Sequence, residues 1–323
     1  MSRRTHPSEA RRRDRFVGRV AGVWGVRPED VVRRLSGERR SSVRINPLAG
    51  RPVEDIRRDI QALTDLTPIA WCPDAFHITG DKRAITASAP HAAGEVYVMN
   101  ASSLVPALAL DPHPDQDILD VCSAPGGKAA HVGALTANRA RLWVNDGIKS
   151  RLRKLREVIE LLNVKITDMT EHPGQYLDKF IGHTFDRILL DAQCSGEGMA
   201  DLSRSDALRF WTPERVEQMS RLQQRMLVAS FKQLRPGGIL VYSTCTISPE
   251  ENEAPIDHLI RHNPDAVIEP IDLAIPEAVP GLTRWEKRDY HPSLANALRV
   301  VAGPYMEAFF VCRIRKVEQE AAA

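Results

Sequence analysis

Two cysteines each follow an apolar segment and stand among small polar residues. Cys194 lies in the segment 191–196 (Asp-Ala-Gln-Cys-Ser-Gly), and Cys245 lies in the segment 242–246 (Tyr-Ser-Thr-Cys-Thr). The short apolar runs before them are typical of buried parallel strands. Ligands of open α/β sheets bind in the crevice at the carboxyl ends of the strands. We therefore expect these thiols to act covalently on an electrophile, which requires the thiolate form.

The other three cysteines carry no such signal. A free cysteine usually behaves as a small buried hydrophobe, and we expect this for Cys72, Cys122 and Cys312. An odd number of scattered cysteines is typical of a reducing compartment and predicts neither a disulfide framework nor a zinc site. The residue types alone leave open whether Cys194 or Cys245 attacks.

A glycine-rich turn follows the first predicted strand of the main sheet. Residues 118–128 read Ile-Leu-Asp-Val-Cys-Ser-Ala-Pro-Gly-Gly-Lys, which is neither a P-loop nor a dinucleotide fingerprint. Such a turn lets a ligand meet the backbone and the start of the next helix. Asp146, after the second strand, is placed to hold ribose hydroxyls, and Asp168, ending the third, to meet an adenine amino group. A helix cap or a turn is the ordinary alternative for each Asp. Together these features predict a nucleoside cofactor.

Alternating strands and helices after residue 100 predict a doubly wound α/β sheet. Its predicted strands are 117–122, 141–145, 164–168, 185–191 and 238–244, and its predicted helices are 127–136, 149–162, 213–234 and 250–262. Two apolar segments near the end, 298–301 and 308–314, predict an antiparallel hairpin at the sheet edge. Residues 1–93 read as a small α+β domain, and residues 94–323 as the catalytic domain.

The charge is unevenly distributed along the chain. Residues 1–45 hold 13 Arg and 5 acidic residues, a net charge of 13 − 5 = +8, whereas the whole chain has +2. Arginine suits bidentate phosphate contacts and stacking on bases, so this basic segment predicts a polyanionic partner. A solvated helical surface is the alternative interpretation.

Three segments together resemble the RNA (cytosine-5)-methyltransferases of the Nol1/Nop2/Sun family. They are 120–128, 191–198 and 242–246, and the segments 44–47, 206–214 and 249–253 are also similar. The resemblance covers nearly the whole chain and is strongest to bacterial small-subunit rRNA enzymes. It implies a class I S-adenosylmethionine-dependent methyltransferase fold with a small N-terminal RNA-binding domain.

The resemblance also implies a role for each site residue. Cys245 would be the nucleophile that adds to carbon 6 of cytosine, Cys194 would aid product release, and Asp191 would bind the base. Lys128 would line the site, where its charge favours a thiolate. The residues implied to bind S-adenosylmethionine are Cys122, Ser123, Ala124, Pro125, Gly126, Gly127, Lys128, Asp146, Arg151, Asp168 and Asp191. No metal is implied.

One position departs from the family pattern. Gln193 stands where the family usually has proline, which would fix φ and remove an N–H donor. We expect a less rigid loop beside Cys194 and slower product release.

The expected substrate is structured RNA, from which the target base must leave its stack. We expect residues 196–211, which carry Arg204 and Arg209, to form a loop that contacts RNA. Ribosomal RNA is the preferred substrate. Transfer RNA is an alternative, because the chain ends soon after the catalytic domain and would lack the C-terminal RNA-binding domain of some members. A catalytically quiet ribosome-assembly factor and a methyltransferase for other substrates are further alternatives.

The remaining expectations concern the surroundings of the protein. No apolar run in the sequence approaches the ~20 residues that a membrane helix needs, and the polar N-terminus does not resemble a secretion signal. We therefore expect a cytoplasmic protein without a membrane partner. We also expect a monomer, because no amphipathic seam stands out.

Overall fold

The computed structural model describes residues 7–318. The first six residues, including Arg3 and Arg4 of the basic segment, lie outside the described residues, as do the last five. No helix within residues 7–318 is long and apolar enough to cross a membrane.

The described chain begins with two helices, α1 (Pro7–Trp24) and α2 (Pro28–Ser36). Their apolar residues recur at helical spacing, and Phe16 and Leu35 are fully buried. These side chains share a hydrophobic core with Trp211, from the second half of the chain. These two helices of the basic segment therefore pack against the segment that the sequence predicts to contact RNA.

A small antiparallel sheet follows, with the strand order β2-β3-β1-β4. Its apolar residues form a separate core around Val43, Ile45 and Phe76. The strands are β1 (Ser42–Ile45), β2 (Leu66–Ile69), β3 (Cys72–Ile78) and β4 (Val96–Met99), and the associated helices are α3 (Val53–Gln61), α4 (Arg83–Thr86) and α5 (Ala89–Ala92).

The main sheet has nine strands in the order β11-β14-β15-β9-β8-β5-β6-β7, with β10 also paired to β15. Strands β5 to β9 are parallel to one another, and the C-terminal strands are antiparallel. The strands are β5 (Asp117–Asp120), β6 (Arg141–Asn145), β7 (Asp168–Thr170), β8 (Phe185–Asp191), β9 (Leu234–Thr244), β10 (Ala266–Glu269), β11 (Ala278–Pro280), β14 (Leu298–Val300) and β15 (Phe309–Lys316). A separate pair, β12 (Arg284–Trp285) and β13 (Arg288–Asp289), forms a short ribbon.

Helices cover both faces of this sheet. Successive strand residues point to opposite faces, so that Ile118 joins one core and Leu119 the other. The helices are α6 (Val105–Leu110), α7 (Gly127–Leu135), α8 (Lys149–Leu161), α9 (Leu177–Phe180), α10 (Pro213–Gln233) and α11 (Glu253–His262), and 3₁₀ turns span 47–49, 101–104, 174–176, 197–199 and 292–296. The doubly wound sheet with an antiparallel C-terminal hairpin is confirmed.

The predicted third strand is wrong in position. The predicted strand spans 164–168, but β7 starts at Asp168 and ends at Thr170. Val164 packs into the core before the strand begins, so its apolar character reflects burial in a loop. Asp168 therefore starts this strand, whereas the prediction had it at the end.

Candidate active site

The two thiols meet at the carboxyl edge of the main sheet. Strands β8 and β9 are parallel neighbours, and Asp191 pairs with Ser243 in their register. The loops that follow the two strands therefore begin side by side. They bring Cys194 Sγ to 3.1 Å from Cys245 Sγ, and both residues are partly buried.

The Cys194 thiol holds its proton tightly. Its pKa is raised because it shares a hydrogen bond with the Cys245 sulfur and because it is buried. The negative charge of the nearby Glu251 carboxylate acts in the same direction. Cys194 thus stays a neutral thiol at neutral pH and can donate to the sulfur of Cys245.

An ion pair stands beside the thiols. Lys128 Nζ lies 2.8 Å from Asp191 Oδ2, and the Ser243 hydroxyl donates to Asp191 Oδ1 at 2.7 Å. Burial alone would lower the pKa of Lys128, but its attraction to Asp191 outweighs this, and the net effect is a raised pKa. The site therefore contains a fixed ammonium–carboxylate pair at neutral pH.

A cavity of about 240 Å³ opens next to this pair. The turn after β5 and Asp191 form one side of it, and the end of β4 and the following 3₁₀ turn form the other. At Gly127 a Cβ atom would lie 2.7 Å from the Tyr97 ring, so this close approach requires glycine. The lining residues are Tyr97, Val98, Met99, Asn100, Ser103, Cys122, Ser123, Ala124, Pro125, Gly127, Lys128 and Asp191.

The sequence analysis did not identify the β4 side of this cavity. The available signal was the polar run Asn100-Ala101-Ser102-Ser103 directly after an apolar strand. Asn145 was missed as well. Its buried amide donates to the Val121 and His172 carbonyls and accepts from the Thr170 hydroxyl, and so joins the turns after three neighbouring strands.

Asp146 and Arg151, the residues expected to hold the nucleoside, lie beside the turn after β5 but do not line this cavity. Asp146 is fully buried, and its Oδ1 accepts from the Ile148 amide. Its Oδ2 forms an ion pair with Arg151, 3.1 Å from Nη1. This contact lacks the geometry of a hydrogen bond, so Oδ2 can still accept one. Arg151 also donates to the Ala124 carbonyl. Asp146 and Arg151 therefore lie next to each other, and Arg151 connects them to the turn after β5.

These residues fit the adenosyl and methionyl parts of S-adenosylmethionine. The free acceptor on Asp146 suits a ribose hydroxyl, and the amides at the start of α7 suit a carboxylate. Asp168 does not join them, because its exposed carboxylate accepts from the amide of Met169.

Asp120 ends β5 with both carboxylate oxygens buried and without a hydrogen-bond partner among residues 7–318. The Ser123 hydroxyl donates instead to the main-chain carbonyl of Asp120. Burial raises the pKa of Asp120 to about 7, and repulsion from Asp191 adds to the rise.

This carboxyl should make stability fall with increasing pH. Between its ordinary pKa of 3.8 and about 7, the folded protein binds a proton that the unfolded chain releases. The contribution of this carboxyl to the free energy of unfolding should therefore be largest in acid and fall by up to about 4 kcal/mol on approaching pH 7. Urea denaturation of wild type and Asp120→Asn at pH 5 and pH 8 measures this change.

Asp120→Asn should lose less stability than wild type between the two pH values. Some pH dependence should remain in the variant, because burial also raises the pKa of Glu251 to about 7. Equal losses in the two proteins would show that Asp120 is already ionised at pH 5.

A buried polar network holds the two cysteine loops together. Glu251 Oε2 accepts from the amide of Ser195 at 2.9 Å, next to Cys194, and from Gln223 Nε2 at 3.0 Å. Asn252 accepts from the Thr244 hydroxyl and donates to the Thr246 carbonyl, on the two sides of Cys245. These residues fix the position of each thiol.

Glu197 is the second carboxylate of the network. It accepts from the Trp211 indole at 2.6 Å and from the Ile247 and Ser248 amides at 3.1 and 2.7 Å. The hydroxyls of Thr246 and Ser248 also donate to it. Glu197 thereby connects the loop at 196–211 to the loop that bears Cys245. Sequence reasoning missed this role.

No group of three or more His, Cys, Asp or Glu side chains among the described residues could hold a metal ion.

The chain is similar to known RNA methyltransferases. Residues 107–314 match the family model described as 16S rRNA methyltransferase RsmB/F. The tRNA (cytosine(49)-C(5))-methyltransferase of Pyrococcus abyssi is 34% identical over 279 residues, which cover 86% of this chain and 88% of that protein. The ribosomal RNA small subunit methyltransferase F of Erwinia tasmaniensis is 36% identical over 258 residues, which cover 78% of this chain and 52% of that protein.

A solved structure extends the match to the whole fold. The crystal structure of a methyltransferase homolog protein from Pyrococcus horikoshii superposes with a TM-score of 0.81 at 28% identity. The alignment covers 97% of this chain and 100% of that one. The chain spans 88% of the length of the Pyrococcus abyssi tRNA enzyme but only about half of the length of the Erwinia tasmaniensis small-subunit enzyme.

Proposed function

This chain belongs to the 16S rRNA methyltransferase RsmB/F family, and from that membership we propose that it methylates carbon 5 of a cytosine in structured RNA through a covalent Cys245 adduct. The protein is an S-adenosylmethionine-dependent RNA (cytosine-5)-methyltransferase. The observation that carries the covalent route is the 3.1 Å approach of two thiols beside the Lys128–Asp191 pair.

We assign the attack to Cys245. The Cys245 thiolate adds to carbon 6 of the cytosine, and the C5=C6 electron pair then makes carbon 5 nucleophilic. Cys194 keeps its proton because its pKa is raised, and its S–H stabilises the neighbouring thiolate. The Lys128 ammonium adds a favourable positive charge nearby. When bound, S-adenosylmethionine supplies the methyl group.

Asp191 and Cys194 serve the later steps. Asp191 is held by Lys128 and Ser243, and it would accept from the cytosine amino group and ring nitrogen while the adduct exists. After a base takes the proton from carbon 5, the electron pair of that C–H bond re-forms the C5=C6 double bond, the S–C6 bond breaks, and the thiolate of Cys245 leaves. Cys194 is in contact with that sulfur, so its thiol can stabilise the departing thiolate.

Gln193 should slow this release. The Gln193 carbonyl accepts from Gln223 Nε2 at 2.8 Å. No hydrogen bond of the Gln193 amide is found among the described residues, so a proline at this position would cost no hydrogen bond. We expect wild type to accumulate more covalent enzyme–RNA complex than Gln193→Pro, measured on denaturing gels during turnover. Equal turnover and equal adduct in both proteins would contradict the hypothesis.

Ribosomal RNA is the proposed substrate, as for the small-subunit relatives. A transfer RNA is the second candidate, because the chain covers 88% of a tRNA enzyme and only 52% of a small-subunit enzyme. The basic α1 helix, packed on the loop at 196–211, would contact the RNA backbone in either case.

The test is methyl transfer from labelled S-adenosylmethionine to three substrates: naked small-subunit rRNA, assembled small subunits and total tRNA. Label in rRNA or subunits, located at one cytosine by bisulfite sequencing, supports the proposal. Label in tRNA alone would show that tRNA, and not rRNA, is the substrate. Label at a base other than cytosine, or in none of the three RNAs, would overturn the proposed function.

A further inference from the structure

We call residues 196–211, between β8 and α10, the rim loop. It carries two of the three most exposed large hydrophobic side chains among the described residues, Phe210 at 69% and Met199 at 55%. Scattered single hydrophobics on a surface need no explanation, but two on one loop at an active site indicate a binding role.

The exposure of Phe210 does not come from a loose segment. The next residue, Trp211, is buried against Phe16 and donates to Glu197. From the other side, Arg12 Nη1 of α1 donates to the carbonyls of Leu208 and Arg209, each at 3.2 Å. The backbone on both sides of Phe210 is therefore fixed, and its ring is held in solvent.

The rim loop is joined directly to the nucleophile. The amide of Gly198 donates to the Cys245 carbonyl at 3.0 Å, and a Cβ atom at Gly198 would lie 2.1 Å from the Ala308 carbonyl oxygen. Met199 follows immediately and is exposed. A base that reaches Cys245 therefore passes beside this loop.

The surroundings of Phe210 match the chemistry of an RNA strand. The Arg209 guanidinium lies over the Phe210 ring, 4.7 Å from its centroid. Arginine next to an aromatic ring is the combination that binds stacked bases in single-stranded nucleic acids. On α1, Arg11 and Arg15 are exposed at a spacing of four residues, which places them on one helix face for phosphate contact.

We propose that Phe210 stacks on an unpaired base next to the target cytosine, through the ring face opposite Arg209, and so holds the RNA open while the cytosine lies at Cys245. This inference rests on the proposed function. Aromatic and aliphatic side chains stabilise unstacked bases in this way in other nucleic-acid complexes.

The test is equilibrium binding, which does not require methyl transfer. The probe is a 12-nucleotide single-stranded RNA with one cytosine flanked by 2-aminopurine, whose fluorescence is quenched by stacking. Wild type should quench the probe. Phe210→Ala should lose most of the quenching and bind about ten-fold more weakly, and Phe210→Trp should restore both.

Two controls separate stacking from general loss of structure. Leu135→Ala removes a side chain that is 39% exposed at the far end of α7, away from the sites at its start, and should bind as wild type does. With abasic positions in place of 2-aminopurine, wild type and Phe210→Ala should bind equally. Equal binding of the 2-aminopurine RNA by both proteins, or an equal loss on the abasic RNA, would overturn the inference.

The two proposals fail in different ways. Methylation of RNA with no effect of Phe210→Ala removes this inference alone. Quenching without methylation of any RNA removes the proposed function and leaves an RNA-binding surface. Absence of RNA binding by wild type removes both.

Discussion

Replacing Cys245 with alanine should reduce RNA methylation below detection, a loss of at least about 10³-fold, because we assign the attack on carbon 6 to Cys245 and the neighbouring Cys194 thiol keeps its proton. S-adenosylmethionine should still bind, since Cys245 is not among the residues that line the cavity at the turn after β5. Labelled methyl transfer to RNA measures the first effect, and equilibrium dialysis of the cofactor measures the second.

Cys194→Ala should behave differently from Cys245→Ala. The first addition survives, but release is slowed, so a covalent protein–RNA complex should accumulate and resist denaturing electrophoresis. Cys72→Ala is the matched control, because Cys72 is a buried thiol on β3 of the small antiparallel sheet. If Cys194→Ala abolishes methylation without an adduct and Cys245→Ala forms one, the roles of the thiols are reversed.

Glu197→Ala should destabilise the protein and disable the site together. Five donors point at this buried carboxylate, and its removal leaves the Trp211 indole and the Ile247 and Ser248 amides without a partner. Buried donors that lose their acceptor cost about 1–3 kcal/mol each, so we expect the free energy of unfolding to fall by at least about 3 kcal/mol. We also expect kcat to fall about 100-fold through displacement of the Cys245 loop.

Urea denaturation and single-turnover kinetics, measured where both proteins are folded, test these two effects. Glu217→Ala is the control, because Glu217 is exposed on α10, where it pairs with Arg221. It should change stability by less than about 0.5 kcal/mol and leave kcat unchanged. A folded Glu197→Ala protein with the kcat of wild type would show that the network does not position Cys245.

The sequence predicted the parts of the fold that have strong local signals. Strands β6 and β8 have the predicted bounds, because each contains a run of three apolar residues, 142–144 and 188–190, that is mostly buried. Strand β7 was misplaced, because it has only three residues and pairs with β6 on one side. The basic segment contains the helices α1 and α2, but their packing against Trp211 connects residues about 175–195 positions apart and has no local signature.

In the candidate site, too, residues with a local sequence signal were predicted and residues that depend on distant partners were not. The turn at 122–128, Asp191 and the two cysteines stand next to strand ends and could be found one segment at a time. The roles of Glu197 and Asn145 depend on partners from other segments, so only the folded chain shows them.

The strand register described for β8 and β9 has a consequence for insertions and deletions. The positions of Cys194 and Cys245 relative to each other depend on the pairing of Asp191 with Ser243, and one residue of slippage moves a strand by about 3.3 Å and turns its side chains to the opposite face. A single-codon deletion within 187–194 or 239–245 should therefore be lost in a library selected for activity. The same deletion at Gly237, an exposed position at the opposite end of β9, should be recovered more often. Insertions and deletions between Cys194 and Cys245 should therefore be tolerated only outside the paired parts of the two strands.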